Sequence, residues 1–436
     1  MRRLVVAGLV LLLLAFVGFV VWSQQPLIAK IEPPAPATFD RALVEKGARL
    51  AAIGGCHVCH TAPGGGDYTG DRPIPTPFGT IYSTNITPAP GSGIGHWSEA
   101  AFDRAMRKGI SRRGFHLYPA FPYDHYARLG DDDLHALYAF FMTRRPVEAY
   151  RHANDLMFPL DKRWLIAFWN LLFLDHAPVR PDPQHDAEWN RGAYLVAALG
   201  HCGDCHTPRN LLGAETSGAA LGGGESEGWL APALNAASPA PVPWDKAHLL
   251  AYLRHGWDVA HGAAAGPMQP VIDDFAQADE ADLRAIAAYL AAQQSEPSPA
   301  RRQRATAAMA RAAERELPKP LPGEELGATL FAGACAVCHA GSGISDGAGM
   351  VTPRGINLAL STAINMPDPR NAIRIVLDGI LPAGGEGPTM PRFRSAFTDA
   401  QLAALLGYIR AHYADMPAWP DLAAQVHNIR HSKKRP

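Results

Sequence analysis

The stretch Cys56-His57-Val58-Cys59-His60 recurs twice more along the chain in the same form. The second copy is Cys202-Gly203-Asp204-Cys205-His206, and the third is Cys335-Ala336-Val337-Cys338-His339. These three copies contain all six cysteines of the 436-residue chain, so none remains for a disulfide framework. The sequence is therefore organised around three Cys-x-x-Cys-His motifs.

Two cysteines three positions apart, followed at once by a histidine, are typical of covalent haem c attachment. The thiols reach the two vinyl groups of one porphyrin, and the histidine lies under the iron. A zinc site would need two further ligands per motif, and a redox dithiol would need a βαβ pattern that this sequence lacks. We therefore predict three covalently bound haem c groups. The attaching cysteines are Cys56, Cys59, Cys202, Cys205, Cys335 and Cys338, and the proximal iron ligands are His60, His206 and His339.

A helical segment with a glycine precedes each motif, and an apolar-periodic helical segment follows it. The glycines are Gly47, Gly192 and Gly327, where the missing side chain lets another backbone approach. Acidic residues lie at or near the start of each following segment, as a helix N-terminus prefers. Long loops rich in glycine and proline separate the two helices. This order predicts three helical repeats, each burying its apolar surface against a haem.

The sequence predicts one methionine in a loop near the end of the second repeat and one in a loop near the end of the third. Met268 occurs in Gly-Pro-Met-Gln-Pro and Met390 in Gly-Pro-Thr-Met-Pro. Neither is at helical core spacing, and thioether sulfur is a soft ligand that stabilises ferrous iron. We predict Met268 and Met390 as the sixth ligands of the second and third haems, which suits electron transfer rather than substrate chemistry.

The first repeat differs at the equivalent place. The repeat spacing puts Phe121 where a methionine is expected, and phenylalanine cannot bind iron. Met106 lies in a predicted helix core. We predict His125 as the sixth ligand of the first haem, with His116 as the alternative. An open iron is the remaining alternative, and it would let this haem bind peroxide.

An apolar segment opens the chain. Arg2 and Arg3 precede nineteen uncharged residues, which span roughly 28 Å as a helix, enough for a bilayer core. The basic residues favour a cytoplasmic N-terminus and an exported body. We predict an uncleaved anchor in the inner membrane with the haem domains on the periplasmic side. A cleaved signal peptide is the alternative, although no small-x-small site follows.

Composition excludes several classes of protein. The chain has 40 Lys and Arg against 41 Asp and Glu, so it lacks the basic excess of a nucleic-acid binder. Hydrophobic residues make up 47%, which excludes a disordered protein. The 41 glycines and 38 prolines exclude a long coiled coil.

Two segments between the repeats and one at the end have their own patterns. Residues 155–175 contain many aromatic and aliphatic side chains. The apolar run is too short, and too interrupted by charged residues, to span a bilayer. We interpret them as an inter-domain packing helix, with a partner-binding or membrane-surface helix as alternatives. Residues 295–322 form a second linker with a helical middle. The basic end from residue 427 is interpreted as a solvated tail, with contact to anionic lipid as the alternative.

Four further stretches are specific beyond the haem motifs: residues 83–88, 118–123, 169–173 and 200–210. With them, the chain after residue 40 resembles the three-haem cytochrome c subunits of bacterial membrane-bound dehydrogenases, such as the alcohol, gluconate and aldehyde dehydrogenases. The resemblance implies a subunit without a substrate site of its own. It would accept electrons from a catalytic dehydrogenase subunit and pass them to ubiquinone or a terminal oxidase.

The resemblance allows a catalytic partner of the molybdenum hydroxylase, flavoprotein or quinoprotein type. Family members usually have methionine where Phe121 stands. A phenylalanine with flanking histidines resembles versions that are paired with periplasmic molybdenum hydroxylases, which oxidise aldehydes or N-heterocycles. No catalytic residue is predicted for the electron-transfer function. The alternative function is a peroxidase-like haem enzyme with an open iron in the first domain.

The predicted fold class is all-α, with three tandem cytochrome c-type domains after an N-terminal transmembrane anchor. The expected segments are an anchor at 1–23, a linker at 24–40, the first domain at 41–150, a linker with an apolar helix at 151–186, the second domain at 187–296, a linker at 297–323, the third domain at 324–415 and a tail at 416–436.

Overall fold

The computed structural model describes residues 2–314, 316–339, 357–381, 387–414 and 416–432. Contacts divide the chain into two compact units. The first contains Met1–Pro181 and Ala197–His201, and the second contains Asp182–Val196 and Cys202–Arg435. Residues 340–356 of the predicted third domain and the last four residues of the predicted tail lie outside the described residues.

The first unit consists of one long apolar helix, six shorter helices and a small sheet among its described residues. The helices are α1 (Arg2–Ser23), α2 (Arg41–Ile53), α3 (Cys56–His60), α4 (Glu99–Lys108), α5 (Tyr123–Tyr126), α6 (Asp131–Met142) and α7 (Leu165–Phe173). The strands are β1 (Pro73–Thr76), β2 (Gly79–Tyr82) and β3 (Asp155–Leu156). They form an antiparallel sheet in the order β1-β2-β3, with Ile74 opposite Ile81 and Gly79 opposite Leu156.

Local capping explains where these helices begin and end. The Asp40 side chain accepts hydrogen bonds from the first backbone N–H groups of α2, and Ser98 does the same for α4. Gly109 ends α4 in the left-handed conformation, with φ +60°. Three aspartates, from Asp131 to Asp133, lie in the first turn of α6, where the helix dipole favours negative charge.

The second unit contains the remaining helices and two pairs of short strands. Its helices are α8 (Ala187–Tyr194), α9 (Gly203–His206), α10 (Lys246–His255), α11 (Met268–Phe275), α12 (Glu280–Gln293), α13 (Pro299–Ala313), α14 (Glu325–Leu330), α15 (Ala336–His339), α16 (Thr362–Asn365), α17 (Arg370–Asp378), α18 (Asp399–Tyr413) and α19 (Leu422–His431). Its strands are β4 (Gly224–Ser226), β5 (Trp229–Ala231), β6 (Trp257–Asp258) and β7 (Gly262–Ala263). Two turns of π-helix, Leu195–Leu199 and Phe331–Cys335, lead into the second and third motifs, and residues 197–199 of the first of these turns belong to the first unit.

Each motif lies beside a pair of helices that cross at a glycine. A Cβ atom added to Gly47 on α2 would overlap the carbonyl of Ala136 on α6. Gly192 on α8 meets the carbonyl of Ala285 on α12 in the same way, and Gly327 on α14 meets that of Ala404 on α18. The prediction that these glycines allow close approach of another backbone is therefore confirmed.

The all-α class is only partly supported, because the described residues include seven short strands. Two of the strands, β4 and β5, are joined by Glu227 and Gly228, with φ of +49° and +77°. Positive φ at both turn residues is the type I′ geometry of a two-residue hairpin. Three separate domains are not confirmed either, since the second and third repeats share one compact unit.

Two predicted connecting segments are more ordered than expected. The 24–40 linker is held to the first unit by Ile28 N–H, which donates to the Arg112 carbonyl over 2.9 Å. The predicted tail at 416–436 contains α19, whose second half starts the stretch interpreted as solvated, and Val426 just before that stretch is fully buried in the core of the third repeat. Leu422 and Ile429, one helical turn on either side of Val426, pack against the same core and hold the chain end on the repeat.

Candidate functional site

The first motif occupies a single helical turn, α3. Gly55, with φ +55°, starts the turn and places Cys56 directly after it. Residues three apart on a helix project from the same face, so Cys56 and Cys59 lie on one side and His60 ends the turn. This is the arrangement that two thioether bonds to one porphyrin require.

The His60 ring is oriented by the backbone. Its Nδ1 lies 2.6 Å from the carbonyl oxygen of Thr84. A carbonyl only accepts, so Nδ1 carries the hydrogen, and Nε2 is the basic nitrogen of the neutral ring. Burial lowers the pKa of His60, although the hydrogen bond to Thr84 opposes that shift. The neutral imidazole favoured at neutral pH is the form that binds a metal.

The loop that contains Thr84 is itself fixed by a hydrogen-bond network. The Asn85 Oδ1 accepts from the Thr87 backbone N–H over 2.9 Å and from the Thr87 hydroxyl over 2.7 Å. The Asn85 Nδ2 donates to the Val147 carbonyl over 2.7 Å. Sequence reasoning singled out residues 83–88 but missed their role, which is to position the acceptor for His60.

The second motif repeats these contacts. His206 Nδ1 donates to the Pro232 carbonyl over 2.7 Å. The backbone N–H of Gly223 donates to the His206 carbonyl over 2.8 Å, as that of Gly70 does to the His60 carbonyl over 2.7 Å. Burial also lowers the pKa of His206. The two predicted proximal histidines are therefore held by the same pair of backbone contacts.

The thiols of the second motif are not those of a reactive dithiol. Burial raises the pKa of Cys202 to about 12, and its neighbour Cys205 adds to the shift. Burial is also the main cause of the raised pKa of Cys205. Nucleophilic cysteines have lowered pKa values and sit in electropositive surroundings, so this pair fits a structural attachment site better.

The turn that precedes Met268 packs on strand β5. Met268 is half-buried and is the first residue of α11. A Cβ atom on Gly266, two residues earlier, would overlap the Trp229 ring, and φ at Gly266 is +58°. Trp229 starts β5, and Pro232, the acceptor for His206, follows the end of that strand. Strand β5 therefore begins with the ring that packs on Gly266 and is followed directly by the carbonyl that orients His206.

The third motif begins in an apolar core, with Cys335 inside it and Ala336 packed against it. Cys335 is buried in the same cluster as Phe331, and Met390 packs against that cluster. Burial raises the pKa of Cys335 to about 11. Met390 also exchanges two backbone hydrogen bonds of 2.9 Å with Ile380. His339 ends α15, and residues 340–356 after it lie outside the described residues.

Backbone contacts confirm that Phe121 occupies the place of Met268. In the first repeat the Leu117 N–H donates to the Gly109 carbonyl, and in the second the Ala264 N–H donates to the Gly256 carbonyl, both over 2.7 Å. Phe121 and Met268 each follow four residues later. The Phe121 ring packs 5.6 Å from that of Tyr126.

The two histidines that flank Phe121 are both buried but make different contacts. His125 Nδ1 donates to the Ala197 carbonyl over 2.9 Å. His116 instead uses Nε2, which donates to the Ser23 carbonyl over 3.0 Å. The Nδ1 of His116 is buried and has no hydrogen-bond partner within the described part of the chain. His125 therefore shares with His60 and His206 a hydrogen bond from Nδ1 to a backbone carbonyl, whereas His116 does not.

Sequence comparisons relate the chain to known proteins. Residues 44–145 and 324–412, which contain the first and third motifs, match the family Cytochrome c. A nicotinate dehydrogenase subunit of Pseudomonas putida is 45% identical over 412 residues, covering 92% of this chain and 33% of that protein. The chain thus spans a third of the length of this relative.

Two shorter relatives are covered over most of their length. The fructose dehydrogenase cytochrome subunit of Gluconobacter japonicus is 34% identical over 411 residues, which are 88% of this chain and 82% of that protein. The gluconate 2-dehydrogenase cytochrome c subunit of Pantoea cypripedii is 35% identical over 408 residues, 89% of this chain and 90% of that protein. The chain belongs to the family of cytochrome c subunits of dehydrogenases, which carry covalently bound haem c and transfer electrons rather than catalyse substrate oxidation.

Proposed function

We propose that this chain carries three haem c groups and is the membrane-anchored electron-transfer subunit of a dehydrogenase complex. The observation that carries the proposal is the repeated contact at two of the motifs, where His60 and His206 each donate Nδ1–H to a loop carbonyl. Such a contact fixes the tautomer and raises the basicity of a metal-bound histidine. Haem c, when bound, supplies a one-electron carrier whose potential depends on its axial ligands.

The chain's own residues hold and shield these groups. The proposed attachment and proximal residues are Cys56, Cys59, His60, Cys202, Cys205, His206, Cys335, Cys338 and His339, and the proposed methionine ligands are Met268 and Met390. The helix pairs that cross at glycines bury one side of each site. The loops that follow the two hairpins supply the carbonyls that orient His60 and His206.

For the first site we propose His125 as the sixth ligand. Its Nδ1–H donates to the Ala197 carbonyl, so Nε2 is the basic nitrogen of the neutral ring, as in His60 and His206. His116 has the opposite arrangement, with Nε2 committed to the Ser23 carbonyl. Iron binding by His116 would have to use Nδ1, which lies next to the residue's own backbone. This difference favours His125.

We further propose that α1 anchors the chain in the inner membrane with its haem domains on the periplasmic side. Among the described residues, α1 is the one helix long and apolar enough to cross a membrane, which fits an anchor or a signal sequence. Contacts made by α1 itself support an anchor, because the Trp164 ring packs against Phe16 and Phe19, and His116 Nε2 donates to the Ser23 carbonyl at the end of the helix.

The partner that we propose is a catalytic dehydrogenase subunit of the molybdenum hydroxylase type. The relative from Pseudomonas putida is named for nicotinate, an N-heterocycle. The phenylalanine at position 121 with flanking histidines favours the same class over the flavoprotein and quinoprotein types. Ubiquinone or a terminal oxidase is the proposed acceptor.

Purification of the native complex from detergent-solubilised membranes tests this function. We expect three haems per chain by haem-to-protein ratio, a co-purifying catalytic subunit, and haem reduction on adding an aldehyde or N-heterocycle to the complex. The same substrates should leave the isolated chain oxidised. Substrate turnover or peroxide turnover by the isolated chain would contradict an electron-transfer role.

A further inference from the structure

Helix α7 has one face packed on the first unit. Trp169 is buried and its ring lies 6.1 Å from that of Tyr123. The Tyr123 hydroxyl donates to the Asn170 Oδ1 over 2.6 Å, and Asn170 Nδ2 donates to the Lys108 carbonyl over 3.3 Å. This side of α7 is thus fixed against α5 and the end of α4.

The opposite face of α7 is apolar and exposed. Phe168, Leu171 and Leu172 are 51%, 67% and 50% exposed. Phe158 in the preceding loop is 81% exposed. A helix that is apolar on both faces needs a second apolar environment. The question is what covers this face.

Trp164 connects the exposed face to the N-terminal helix. It precedes α7 directly, and its spacing to Phe168 and Leu171 places all three on one side of the helix. The Trp164 ring packs edge-on against Phe16 and Phe19 of α1, with centroids 5.5 and 6.1 Å apart. The exposed face of α7 is therefore continuous with the surface of α1.

The position of these contacts along α1 gives their depth. Phe16 and Phe19 lie seven and four residues before Ser23, where α1 ends. At 1.5 Å per residue, Trp164 meets α1 about 6–10 Å inside the end of the helix. This depth matches the roughly 5–10 Å by which the apolar face of an in-plane helix is buried into the headgroup–acyl boundary.

The chain that leaves α1 is fastened to the same unit, so α7 cannot move away from the membrane surface. The Ser23 carbonyl accepts from His116 Nε2 over 3.0 Å, and the Pro26 carbonyl accepts from Arg104 over 2.7 Å. The Arg112 side chain donates to the Ile28 carbonyl over 2.9 Å. A tether of this kind holds the folded body directly against the end of α1.

We propose that α7 is a second membrane contact, lying in the plane of the bilayer with Trp164, Phe168, Leu171 and Leu172 buried in the leaflet from which α1 emerges. The occupant of the exposed face is lipid. The inference rests on the proposal that α1 is retained as a membrane span. In-plane helices of this kind bury their apolar face into the headgroup–acyl boundary.

Single introduced cysteines with an environment-sensitive fluorophore test the contact in the full, haem-loaded chain. The variant Leu171→Cys reports on α7, Leu11→Cys reports on the centre of α1, and Leu211→Cys, at a side chain 96% exposed in the second unit, is the aqueous control. The unsubstituted chain gives the labelling background. All are reconstituted in vesicles of phosphatidylethanolamine and phosphatidylglycerol.

We expect the Leu171→Cys probe to be blue-shifted, to be quenched by a shallow lipid-borne quencher, and to be quenched by iodide several-fold less than the Leu211→Cys probe. A water-accessible α7 probe beside a protected α1 probe would overturn the α7 contact and leave the span intact. Water access at both the α7 and the α1 probe would show that α1 does not span the membrane. Protection of α7 only in the complex with the catalytic subunit would identify a subunit interface and overturn the proposal.

Discussion

His60 donates its Nδ1–H to the carbonyl oxygen of Thr84 over 2.6 Å, a contact between a short helix and the loop after a hairpin. The second repeat has the same relation between His206 and Pro232. In both repeats the acceptor carbonyl closely follows the second strand of the hairpin. The orientation of each ring is therefore set by the loops, while the helix pairs provide the apolar enclosure.

Changing Gly70 to alanine should disturb the first of these contacts. Gly70 has φ +79°, and a Cβ atom there would overlap the Thr84 carbonyl. Without the hydrogen bond, His60 becomes a weaker donor, so the potential of one haem should rise by tens of millivolts, about 59 mV being a tenfold change in a one-electron equilibrium. A spectroelectrochemical titration measures this.

The matched control for that substitution is Gly64→Ala. Gly64 has a similar φ of +75°, but a Cβ atom there meets nothing within 4 Å. Backbone strain is therefore common to both variants, and displacement of the Thr84 carbonyl is specific to Gly70→Ala. Equal shifts of potential in the two variants would show that the carbonyl contact does not tune the haem.

Met268→Ala and Met390→Ala should each remove one sulfur-to-iron charge-transfer contribution from the red end of the oxidised spectrum. The potential of the affected haem should fall, because ferrous iron loses its soft ligand. Met366→Leu is the control, since Met366 is a buried methionine of the same unit whose sulfur accepts from the Asn371 side chain. If both alanine variants keep the full band, these methionines are not ligands.

The crossing glycines could be predicted because their signal is local. Each motif is preceded by a helix that contains one glycine, such as Gly192 before the second motif. The recurrence of this glycine predicts a close helix crossing in each repeat. The hairpins could not be predicted in this way. Strand β1 has two prolines in four residues, and strands this short show no alternating pattern.

The acceptors of the histidines were missed for a different reason. Thr84 and Pro232 contribute backbone carbonyls, which leave no trace in the residue type. The packing of α19 was missed although Leu422, Val426 and Ile429 recur at helical spacing and pack on the core of the third repeat, because the basic residues that follow were given more weight. The contact of His125 with Ala197 depends on tertiary structure, across a long sequence separation.

Gly327→Ala and Gly407→Ala should change stability in opposite directions, although both alter the same helix pair. A Cβ atom on Gly327 would overlap the Ala404 carbonyl, whereas one on Gly407 of α18 meets nothing within 4 Å. We expect Gly327→Ala to cost about 1–3 kcal/mol through overpacking. Gly407→Ala should stabilise by roughly 0.5–1 kcal/mol, because alanine is the better helix former. Urea unfolding of the two variants checks the signs.

A buried carboxylate in the second unit should make stability depend on pH. Asp258 Oδ1 accepts from His261 Nδ1 over 2.6 Å, and Oδ2 accepts from His248 Nδ1 over 2.9 Å. His261 Nε2 faces the Val242 carbonyl at 3.1 Å. Burial alone would raise the pKa of Asp258, but these hydrogen bonds and one from the Ala260 N–H outweigh it and hold the pKa below its ordinary value.

A lowered carboxyl pKa stabilises the fold above the unfolded value, about 3.9, and this contribution is lost as pH falls through the folded value. Asp258→Asn should therefore cost about 3–5 kcal/mol at pH 7, as for a broken buried pair, and the difference from the parent should shrink below about pH 4. Glu225→Gln, at an exposed carboxylate paired with Arg370, is the control and should change little. A pH-independent difference would contradict the assignment.

The last prediction concerns the ligand opposite His60. Imidazole is a stronger donor than a thioether, so a first haem with histidine on both sides should have the lowest potential of the three. His125→Ala should convert that haem to a high-spin ferric form, while His116→Ala should leave its spectrum low-spin, because His116 already gives Nε2 to the Ser23 carbonyl.

Phe121→Met tests the same site by adding a ligand, since Phe121 stands at the position of Met268. The introduced methionine should raise the potential of the first haem and leave the other two potentials unchanged. Titrations that show three similar high potentials in the parent would argue against histidine ligation. A high-spin signal in the parent would indicate an open iron and favour a peroxide-binding role for the first haem.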